Sequence, residues 1–346
     1  MFEHRALART YSFAAIVICL CSPTHSMAQS REEGPWWPST QWGSEDQEGA
    51  ANWITQAKVL EALQSVKTGK VYELGHVYER GMPLFGDRDF KLTVPTPPRQ
   101  GWGENASVWH SDFFVGEIGQ VGTQFDALGH VGTKMEFDDG TVKDVFYNGF
   151  TREEMLWQGG EGGGLMALGM EKARPFITRG ILIDIAGYKD VATLSSHHEV
   201  TIEDVKGALA RQGIEESEIQ PGDAILFNYG WATHWNNPPK YNNANYNHPE
   251  NNGSPGIGIP VARWLAEKNV SLVGADSCCV EVVPNPDDAL KHPVHQELIT
   301  RSGIYMLENL DLRSLADDEV YGFLFIFNPL RIKGASGSPG RPLAIR

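Results

Sequence analysis

The chain has 346 residues, of which 41% are hydrophobic, 10% aromatic and 21% charged. This balance is typical of a folded globular protein and excludes a disordered, collagen-like or disulfide-scaffold chain. The 44 acidic residues outnumber the 29 basic residues and give a formal net charge of −15. We do not expect so acidic a chain to bind nucleic acid or anionic membranes.

The first 28 residues have the three-part layout of a secretory signal peptide. Arg5 and Arg9 come first, residues 11–22 are mostly apolar, and a Ser-Met-Ala run at 26–28 supplies small residues for cleavage. A membrane anchor is the alternative, but about a dozen apolar residues are too few for a bilayer that needs roughly 20. Cleavage after Ala28 removes two arginines and one glutamate and leaves 318 residues with a charge of −16. We therefore expect a periplasmic or secreted protein that has no membrane contact after cleavage.

The cysteines provide no obvious disulfide framework. Cys19 and Cys21 leave with the signal segment, and the remaining pair, Cys278 and Cys279, is adjacent in the sequence. Adjacent cysteines rarely bridge each other, because the bond is strained. The pair could act as nucleophiles, but no matching base accompanies it, which favours buried and unreactive thiols. The mature chain must then depend on its hydrophobic core, and its length is sufficient to form one.

After a polar, tryptophan-rich arm over residues 29–50, we expect a single domain over residues 51–346. A helix is predicted at 55–67 and a strand at 71–77, and residues 79–119 have little periodicity. From residue 180 the predicted strands are 180–186, 224–229, 271–275, 304–307 and 323–327, and the predicted helices are 201–212, 260–268 and 295–301. Thr201 is the expected N-cap of its helix, with Asp204 at the capping-box position and Gly213 beyond the end. This alternation predicts an α/β fold with a mixed, largely parallel sheet and covering helices.

Two loops are conspicuous in composition. Residues 158–164 (QGGEGGG) suggest a phosphate loop, but they lack the Lys-Ser/Thr pair and the strand–helix setting of such a loop, which favours a surface turn. Residues 236–252 are rich in asparagine and have no regular pattern. Long loops of this kind often act as lids, and a plain surface excursion is the alternative.

The segment from Gln120 to His130 carries the strongest chemical pattern. Read as a strand, it divides into two faces. One face carries Gln120, Gly122, Gln124 and Asp126, and the other carries Val121, Thr123, Phe125 and Ala127. The first face offers three oxygen donors, which can bind a hard cation such as Mn²⁺, Mg²⁺ or Ca²⁺, or a polar substrate. A solvated strand face is the alternative.

A second cluster lies near the C-terminus, where His292 and His295 open a predicted helix and Glu308 closes the next strand. A histidine at a helix start is commonly a cap or a packed surface residue. A carboxylate at the end of an apolar strand, however, needs an ion pair, a metal or the rim of a site. Glu281 follows another apolar strand and has the same character.

These segments resemble the metal-dependent cyclase-like hydrolases, a family that includes bacterial kynurenine formamidase, isatin hydrolase and trans-dienelactone hydrolase. The family signature is His-x-Gly-Thr-His-x-Asp-x-Pro-x-His, and Gly122, Thr123, Asp126 and His130 stand in register with it. Further similar motifs are Phe146-Tyr147-Asn148-Gly149, Thr178-Arg179-Gly180, Pro221-Gly222-Asp223, Gly274-Ala275-Asp276, Pro293-Val294-His295, Glu308-Asn309-Leu310 and residues 337–342. Three positions depart from the signature: Gln120 and Gln124 replace histidines, and Leu128 replaces the proline.

The resemblance implies a swivelling β/β/α cyclase-like fold and a divalent metal site. It implies that Asp126, His295 and Glu308 are metal ligands and that His130 is the general base or a proton shuttle. Gln120 and Gln124 are predicted at the remaining ligand positions; an amide oxygen is a weaker ligand than imidazole, which favours Mn²⁺, with Zn²⁺ as the alternative. The resemblance also implies a homodimer or a higher homo-oligomer.

The expected reaction is hydrolysis of a small molecule: a lactone, a cyclic amide or a formamide, attacked by metal-activated water with His130 accepting a proton. Phe125, Trp231 and Trp235 are predicted to form an apolar pocket wall, with ordinary core packing as the alternative. Two other functions stay open. One is an exported small-molecule-binding protein with a degraded metal site, and the other is a metal-dependent dehydratase or isomerase, because function follows the pocket rather than the fold.

Overall fold

The structure is a computed structural model that describes residues 34–95, 101–157, 163–242 and 253–346. The predicted signal peptide lies outside the described residues, as do 158–162 of the glycine-rich loop and 243–252 of the asparagine-rich loop. The described residues belong to one compact unit. Among them, no helix has both the length and the apolar character that crossing a membrane requires.

Four of the eight α-helices in the described residues begin at a side-chain N-cap supplied by threonine or aspartate. The helices are α1 (Gln56–Leu63), α2 (Arg152–Met155), α3 (Ile185–Tyr188), α4 (Ile202–Gln212), α5 (Pro238–Tyr241), α6 (Ile259–Glu267), α7 (Pro293–His295) and α8 (Arg313–Asp317). Thr201 and Asp204 form the predicted capping box of α4, and Gly213 ends the helix in the left-handed region at φ 70°. Only glycine adopts that conformation without steric cost, so the end of α4 follows directly from the sequence. A single π-helical stretch, Gln296–Arg301, continues α7.

Fifteen strands occur in the described residues. They are β1 (Val71–Glu73), β2 (Phe90–Thr93), β3 (Phe113–Gly116), β4 (Gln124–Asp126), β5 (Thr133–Glu136), β6 (Val142–Val145), β7 (Phe176–Asp184), β8 (Glu199–Val200), β9 (Ala224–Asn228), β10 (Gly256–Ile257), β11 (Leu272–Ala275), β12 (Tyr305–Glu308), β13 (Gly322–Phe327), β14 (Gly337–Pro339) and β15 (Leu343–Ile345). Nine form the main sheet in the order β1-β15-β13-β7-β9-β11-β12-β4-β14, and the others form three two-stranded pairs.

The main sheet is mixed, as predicted, but it is not largely parallel, since five of its eight strand pairings are antiparallel. Four adjacent strands of the sheet, β7, β9, β11 and β12, are parallel to one another. The flanking pairs, including β12 with β4 and β4 with β14, are antiparallel. Parallel pairing is therefore confined to the part of the sheet in which strands and helices alternate along the chain. Helices α1 and α4 pack against β7, so the predicted single-domain α/β architecture is confirmed.

The core lies between the sheet and its helices. Aromatic side chains of β4, β7, β12 and β13 pack together, and Phe125 stacks on Tyr305 with ring centroids 5.1 Å apart. Phe176 and Phe327 complete this group, at 5.3 and 5.0 Å from the ring of Phe125. These contacts fix β4 and β12 against the rest of the sheet and so determine where their polar faces lie.

Candidate functional site

The site is built on the antiparallel pair of β4 and β12. The register places Gln124 opposite Glu308 and Phe125 opposite Leu307. Because side chains alternate along a strand and directly paired residues share a face, Gln124, Asp126 and Glu308 project to one side, while Phe125 and Leu307 enter the core. The polar face that the sequence predicted thus exists at Gln124 and Asp126.

The predicted strand does not extend back to Gln120. Gly122 has a φ of 62°, a left-handed conformation that an extended strand cannot contain. β4 therefore begins at Gln124, and Gln120 reaches the site from the preceding bend rather than by strand alternation.

Three of the predicted ligands converge. His295, on α7, has its Nε2 atom 3.8 Å from Asp126 Oδ2 and 3.3 Å from Glu308 Oε1. One ligand atom from each of these three residues lies within 4.8 Å of the others. All three side chains are buried. We call Asp126, His295 and Glu308 the acidic triad.

The acidic triad fits a divalent cation. Both carboxylate oxygens of Asp126 and the Oε1 atom of Glu308 are buried, and among the described residues they have no hydrogen-bond partner. Leaving a buried carboxylate oxygen unpaired is costly, so in native proteins such groups are paired or bind a metal. The chemistry of the donor set, two carboxylates and one imidazole, is also that of divalent metal sites.

Burial and charge shift the acid–base properties of the acidic triad. Burial raises the pKa of Glu308 to about 7, and the charge of Asp126 acts in the same direction. Burial alone would lower the pKa of His295, but the carboxylates of Glu281 and Glu308 raise it well above its usual value. Without a metal ion, the chain thus holds an imidazolium at His295 beside a Glu308 carboxyl that resists ionisation.

Glu281 supports His295 from the other side of the ring. Its Oε1 atom makes a short hydrogen bond with His295 Nδ1, and its Oε2 atom accepts the Val294 N–H at 3.1 Å. His292 Nδ1 lies 3.4 Å from the same Oε1 atom. A hydrogen on Nδ1 donated to Glu281 leaves the Nε2 lone pair directed at Asp126 and Glu308, an arrangement typical of metal-binding histidines.

The two glutamines make different contacts. Gln124 Nε2 donates to Glu308 Oε2 at 2.6 Å, so this amide lies directly beside the acidic triad. Gln120 Nε2 lies 3.4 Å from Nδ1 of His130. Ligation of a metal by either glutamine stays a prediction, and Gln120 in this structure contacts the predicted base.

His130 lies at the edge of the acidic triad, with Nε2 3.8 Å from Asp126 Oδ1. Burial lowers the pKa of His130, and Asp126 opposes that shift, whereas the charges of His295 and Arg88 lower the pKa further. A neutral imidazole beside the acidic triad is the protonation state that a proton acceptor requires.

A cavity of about 390 Å³ connects these groups to the surface, a volume within the range of small-molecule sites. Gln120, Gln124, Asp126, His130, His295 and Glu308 all contribute to its lining. The sequence-predicted metal and proton-transfer residues therefore share one cavity.

The three predicted aromatic wall residues do not line this cavity. Phe125 is fully buried in the aromatic core. Trp231 is also fully buried and donates its indole N–H to the Tyr241 carbonyl oxygen at 3.2 Å. Trp235 stacks on His76 with ring centroids 3.9 Å apart. The structure therefore agrees with the alternative of ordinary core packing for all three residues, because their rings pack against other rings and do not reach the cavity.

The apolar and cationic lining comes instead from residues that sequence patterns did not single out for this role. Phe85 and Arg88 come from the aperiodic stretch after β1, and Lys291 comes from the loop before α7. Cys278 and Cys279 also line the cavity, with their Sγ atoms 2.9 Å apart. Burial of Cys279 and its contact with Cys278 raise the pKa of the Cys279 thiol, which agrees with an unreactive thiol. Loops without periodicity give no sequence signal for such positions.

Known structures have the same fold. A crystal structure of a novel cyclase is 29% identical, with a TM-score of 0.74, covering 88% of this chain and 98% of that one. Isatin hydrolase A from Ralstonia solanacearum is 20% identical, with a TM-score of 0.56, covering 80% of this chain and 92% of its own. Isatin hydrolase A from Labrenzia aggregata, bound to benzyl benzoate, gives the same identity and TM-score and covers 80% and 93%. At 20% identity the likeness to the isatin hydrolases shows the fold alone.

Sequence comparison with curated proteins finds no match. A family model does match: residues 72–282, more than half of the chain, fit the Cyclase family, described as "Putative cyclase". The matched span contains β4 with Asp126, His130 and the turn that carries Glu281. His295 on α7 and Glu308 on β12 lie beyond its end. The chain belongs to the Cyclase family.

Proposed function

We propose that this protein is a metal-dependent hydrolase that opens the C–O or C–N bond of a lactone, a cyclic amide or a formamide. The observation that carries the proposal is the acidic triad, in which buried carboxylate oxygens of Asp126 and Glu308 face a cavity and, among the described residues, have no hydrogen-bond partner. Membership of the Cyclase family and the fold shared with isatin hydrolases agree with this chemistry.

Asp126, His295 and Glu308 would hold the ion, with Gln124 adjacent through its contact with Glu308. A bound divalent ion would polarise the substrate carbonyl and lower the pKa of water at the site. Two carboxylates with few imidazoles favour Mn²⁺ over Zn²⁺, which prefers nitrogen and sulfur. Glu281 would keep His295 in the orientation that directs Nε2 to the ion.

His130 would accept the proton of the attacking water at Nε2, the nitrogen nearer to Asp126. For Nε2 to carry a lone pair, Nδ1 must carry the hydrogen. The carboxamide of Gln120, turned so that its oxygen faces Nδ1, would accept that hydrogen, since amide orientation is not fixed by heavy-atom positions. Gln120 would thus hold the base in its active tautomer.

We also propose that the protein works outside the cytoplasm, in the periplasm or secreted, as a homodimer or a higher homo-oligomer. The signal-like first 28 residues motivate the compartment. Fractionation of cells that express the full chain, with sequencing of the mature N-terminus, tests the first part. Light scattering of the purified protein tests the second.

The test of the reaction has two parts. Elemental analysis of protein purified without added ions should find about one equivalent of a divalent metal, and Mn²⁺ addition should support turnover of aryl lactones, cyclic amides or formamides. Reaction in ¹⁸O-labelled water should place one labelled oxygen in the product. A metal-free protein that binds but never turns over these compounds would indicate a binding protein. Product without labelled oxygen would indicate a dehydratase or an isomerase.

A further inference from the structure

The charges around the cavity are unlike those of the chain as a whole. The chain has a net charge of −15, yet among the described residues the only acidic ones that line the cavity are Asp126 and Glu308 of the acidic triad. Arg88 and Lys291 line it as well. A divalent ion on the acidic triad would offset both carboxylates, so the cavity would keep the positive charge of Arg88.

Arg88 is held in a defined orientation at this cavity. Its Nη1 atom donates to the Phe85 carbonyl oxygen at 2.9 Å, and its guanidinium carbon lies 5.5 Å from the centroid of the Phe85 ring. These contacts use one of the five N–H donors of the guanidinium and one of its two faces. The other four donors and the other face remain for a ligand. Among the described residues, no carboxylate lies within ion-pair distance of this guanidinium, in contrast to Arg152, Arg174, Arg179, Arg263, Arg301, Arg313 and Arg341.

Arg88 lines the same cavity as His130 and the acidic triad, so one bound substrate can contact both. Asn242, Gln120 and Gln296 add amide groups to the same lining, and Phe85 adds an aromatic face. A planar anion attached to a ring would find a guanidinium, amide donors and an apolar surface within one cavity.

We propose that Arg88 forms a carboxylate-binding subsite, so that the preferred substrates carry a carboxylate on the ring or chain beside the hydrolysed bond. This inference rests on the proposed hydrolase function and specifies its substrate class. The rigid fork of a guanidinium matches the two coplanar oxygens of a carboxylate, which it binds through two parallel hydrogen bonds. Because Arg88 contacts a group that does not react, it sets specificity and takes no part in proton transfer.

Matched substrates test the subsite. Formanilide and 2-formamidobenzoate differ by one carboxylate that is present before hydrolysis, so a preference between them cannot come from the acid that hydrolysis creates. We expect the Mn²⁺-loaded wild-type protein to have a kcat/KM at least tenfold higher for 2-formamidobenzoate or its 3- or 4-isomer. Arg88→Gln should lower the ratio of the two kcat/KM values to about one, mainly by raising KM for 2-formamidobenzoate, because binding of a non-reacting group acts on ground and transition states alike.

Two further variants control for charge and fold. Arg152→Gln removes an arginine that pairs with Asp144 outside the cavity, and it should leave the preference unchanged. Arg88→Lys should restore part of the preference, because it keeps the charge and loses the planar fork. Equal preference in wild type and Arg88→Gln, or an equal loss of turnover on both substrates, would overturn the proposal.

A binding measurement separates failure of the subsite from failure of the hydrolase proposal. Titration calorimetry compares benzoate with benzamide on Mn²⁺-loaded wild type and Arg88→Gln. If neither formamide is hydrolysed but benzoate binds at least tenfold more weakly to Arg88→Gln, the subsite stands and the reaction assignment fails. If benzoate binds both proteins equally and is lost only in Asp126→Asn, the carboxylate binds at the acidic triad and the subsite is rejected.

Discussion

Two fully buried aspartates of this protein, Asp126 and Asp223, have opposite surroundings. Asp223 Oδ1 lies 2.6 Å from Lys58 Nζ, and Oδ2 lies 2.5 Å from Arg179 Nη2 and accepts the Gln220 N–H at 2.8 Å. Among the described residues, Asp126 has only the imidazoles of His130 and His295 within ion-pair distance, both at 3.8 Å, and its carboxylate accepts no hydrogen bond. Burial is the same for both residues, and only the partners differ.

The difference indicates which buried carboxylate is structural and which is functional. The charge of Asp223 is neutralised by the chain itself, so that cluster is complete and joins α1, β7 and the turn before β9. The acidic triad has two carboxylates against one imidazole and needs a further cation to reach the same state. A buried carboxylate that accepts no hydrogen bond and is not fully neutralised by the chain is therefore the stronger sign of a ligand site.

The largest expected effect is that of Asp126→Asn. The amide keeps the shape and removes a metal-binding charge, so we expect loss of bound metal and a fall in turnover of at least about 1,000-fold. The metal-free variant should unfold at or above the temperature of the metal-free wild type, because a buried unpaired charge has been removed. Elemental analysis and thermal unfolding with and without chelator measure both outcomes; an Asp126→Asn protein that retains its metal would show the ligand assignment to be wrong.

His130→Ala should lower kcat by about 100- to 10,000-fold, the range for loss of a general base. Metal content should stay unchanged, because His130 is not assigned to the ion. Single-turnover kinetics with elemental analysis of the same sample measure this. Full activity in the variant would remove His130 from proton transfer.

Asp223→Asn should produce the reverse pattern of Asp126→Asn. Loss of its charge leaves Lys58 and Arg179 without their buried partner, and the free energy of unfolding should fall by about 3 kcal/mol. Urea unfolding measures this change. The folded fraction should bind metal with wild-type stoichiometry, and a loss of metal in the folded variant would contradict the distinction between the two aspartates.

Glu281→Gln tests the support of His295. The variant keeps a hydrogen-bond acceptor beside Nδ1 and loses the charge, and we expect metal affinity to fall by about 10- to 100-fold. Competition with a metal-binding dye measures the affinity. If Glu281, His292 and His295 instead form a second metal site, the wild type should bind two ions and the variant one.

The smallest effect concerns the pH dependence of the metal-free protein. Burial raises the pKa of Glu308 to about 7. A carboxyl group whose pKa is raised on folding stabilises the folded protein at low pH, and this contribution is lost as the pH rises through about 7. The raised pKa of His295 has the same sign. Chelator-treated wild type should therefore melt at a lower temperature at pH 8 than at pH 6, with a weaker dependence in Asp126→Asn. An identical dependence in the two proteins would argue against coupling within the acidic triad.

Local sequence patterns predicted much of the fold. The capping box of α4 and the glycine after it fixed both helix ends, and the apolar runs at β7, β9 and β11 were predicted within a few residues. The strand predicted over residues 120–130 is limited to Gln124–Asp126 in the structure, because the positive φ of Gly122 interrupts the alternation of side chains between the two faces. Period-two reasoning assumes extended backbone and fails where one residue departs from it.

The site was predictable in part. The spacing of Gln124, Phe125 and Asp126 predicted one core-facing residue between two polar ones, and the family signature pointed to His130. The tryptophans could not be assigned, because a core ring and a pocket ring look alike in sequence. Trp231 and Trp235 lie in the core. Phe85 and Arg88 line the cavity, and they belong to a stretch of the sequence without periodicity.

By itself the sequence determined the chemistry of the site: which residues carry oxygen and nitrogen donors, and which face of β4 they share. Only the tertiary structure decided which donors meet. Gln124 and Glu308 are 184 positions apart and become neighbours through the antiparallel register of β4 and β12. That register depends on the packing of Phe125 and Leu307 on the opposite face, a non-local contact that local periodicity does not encode.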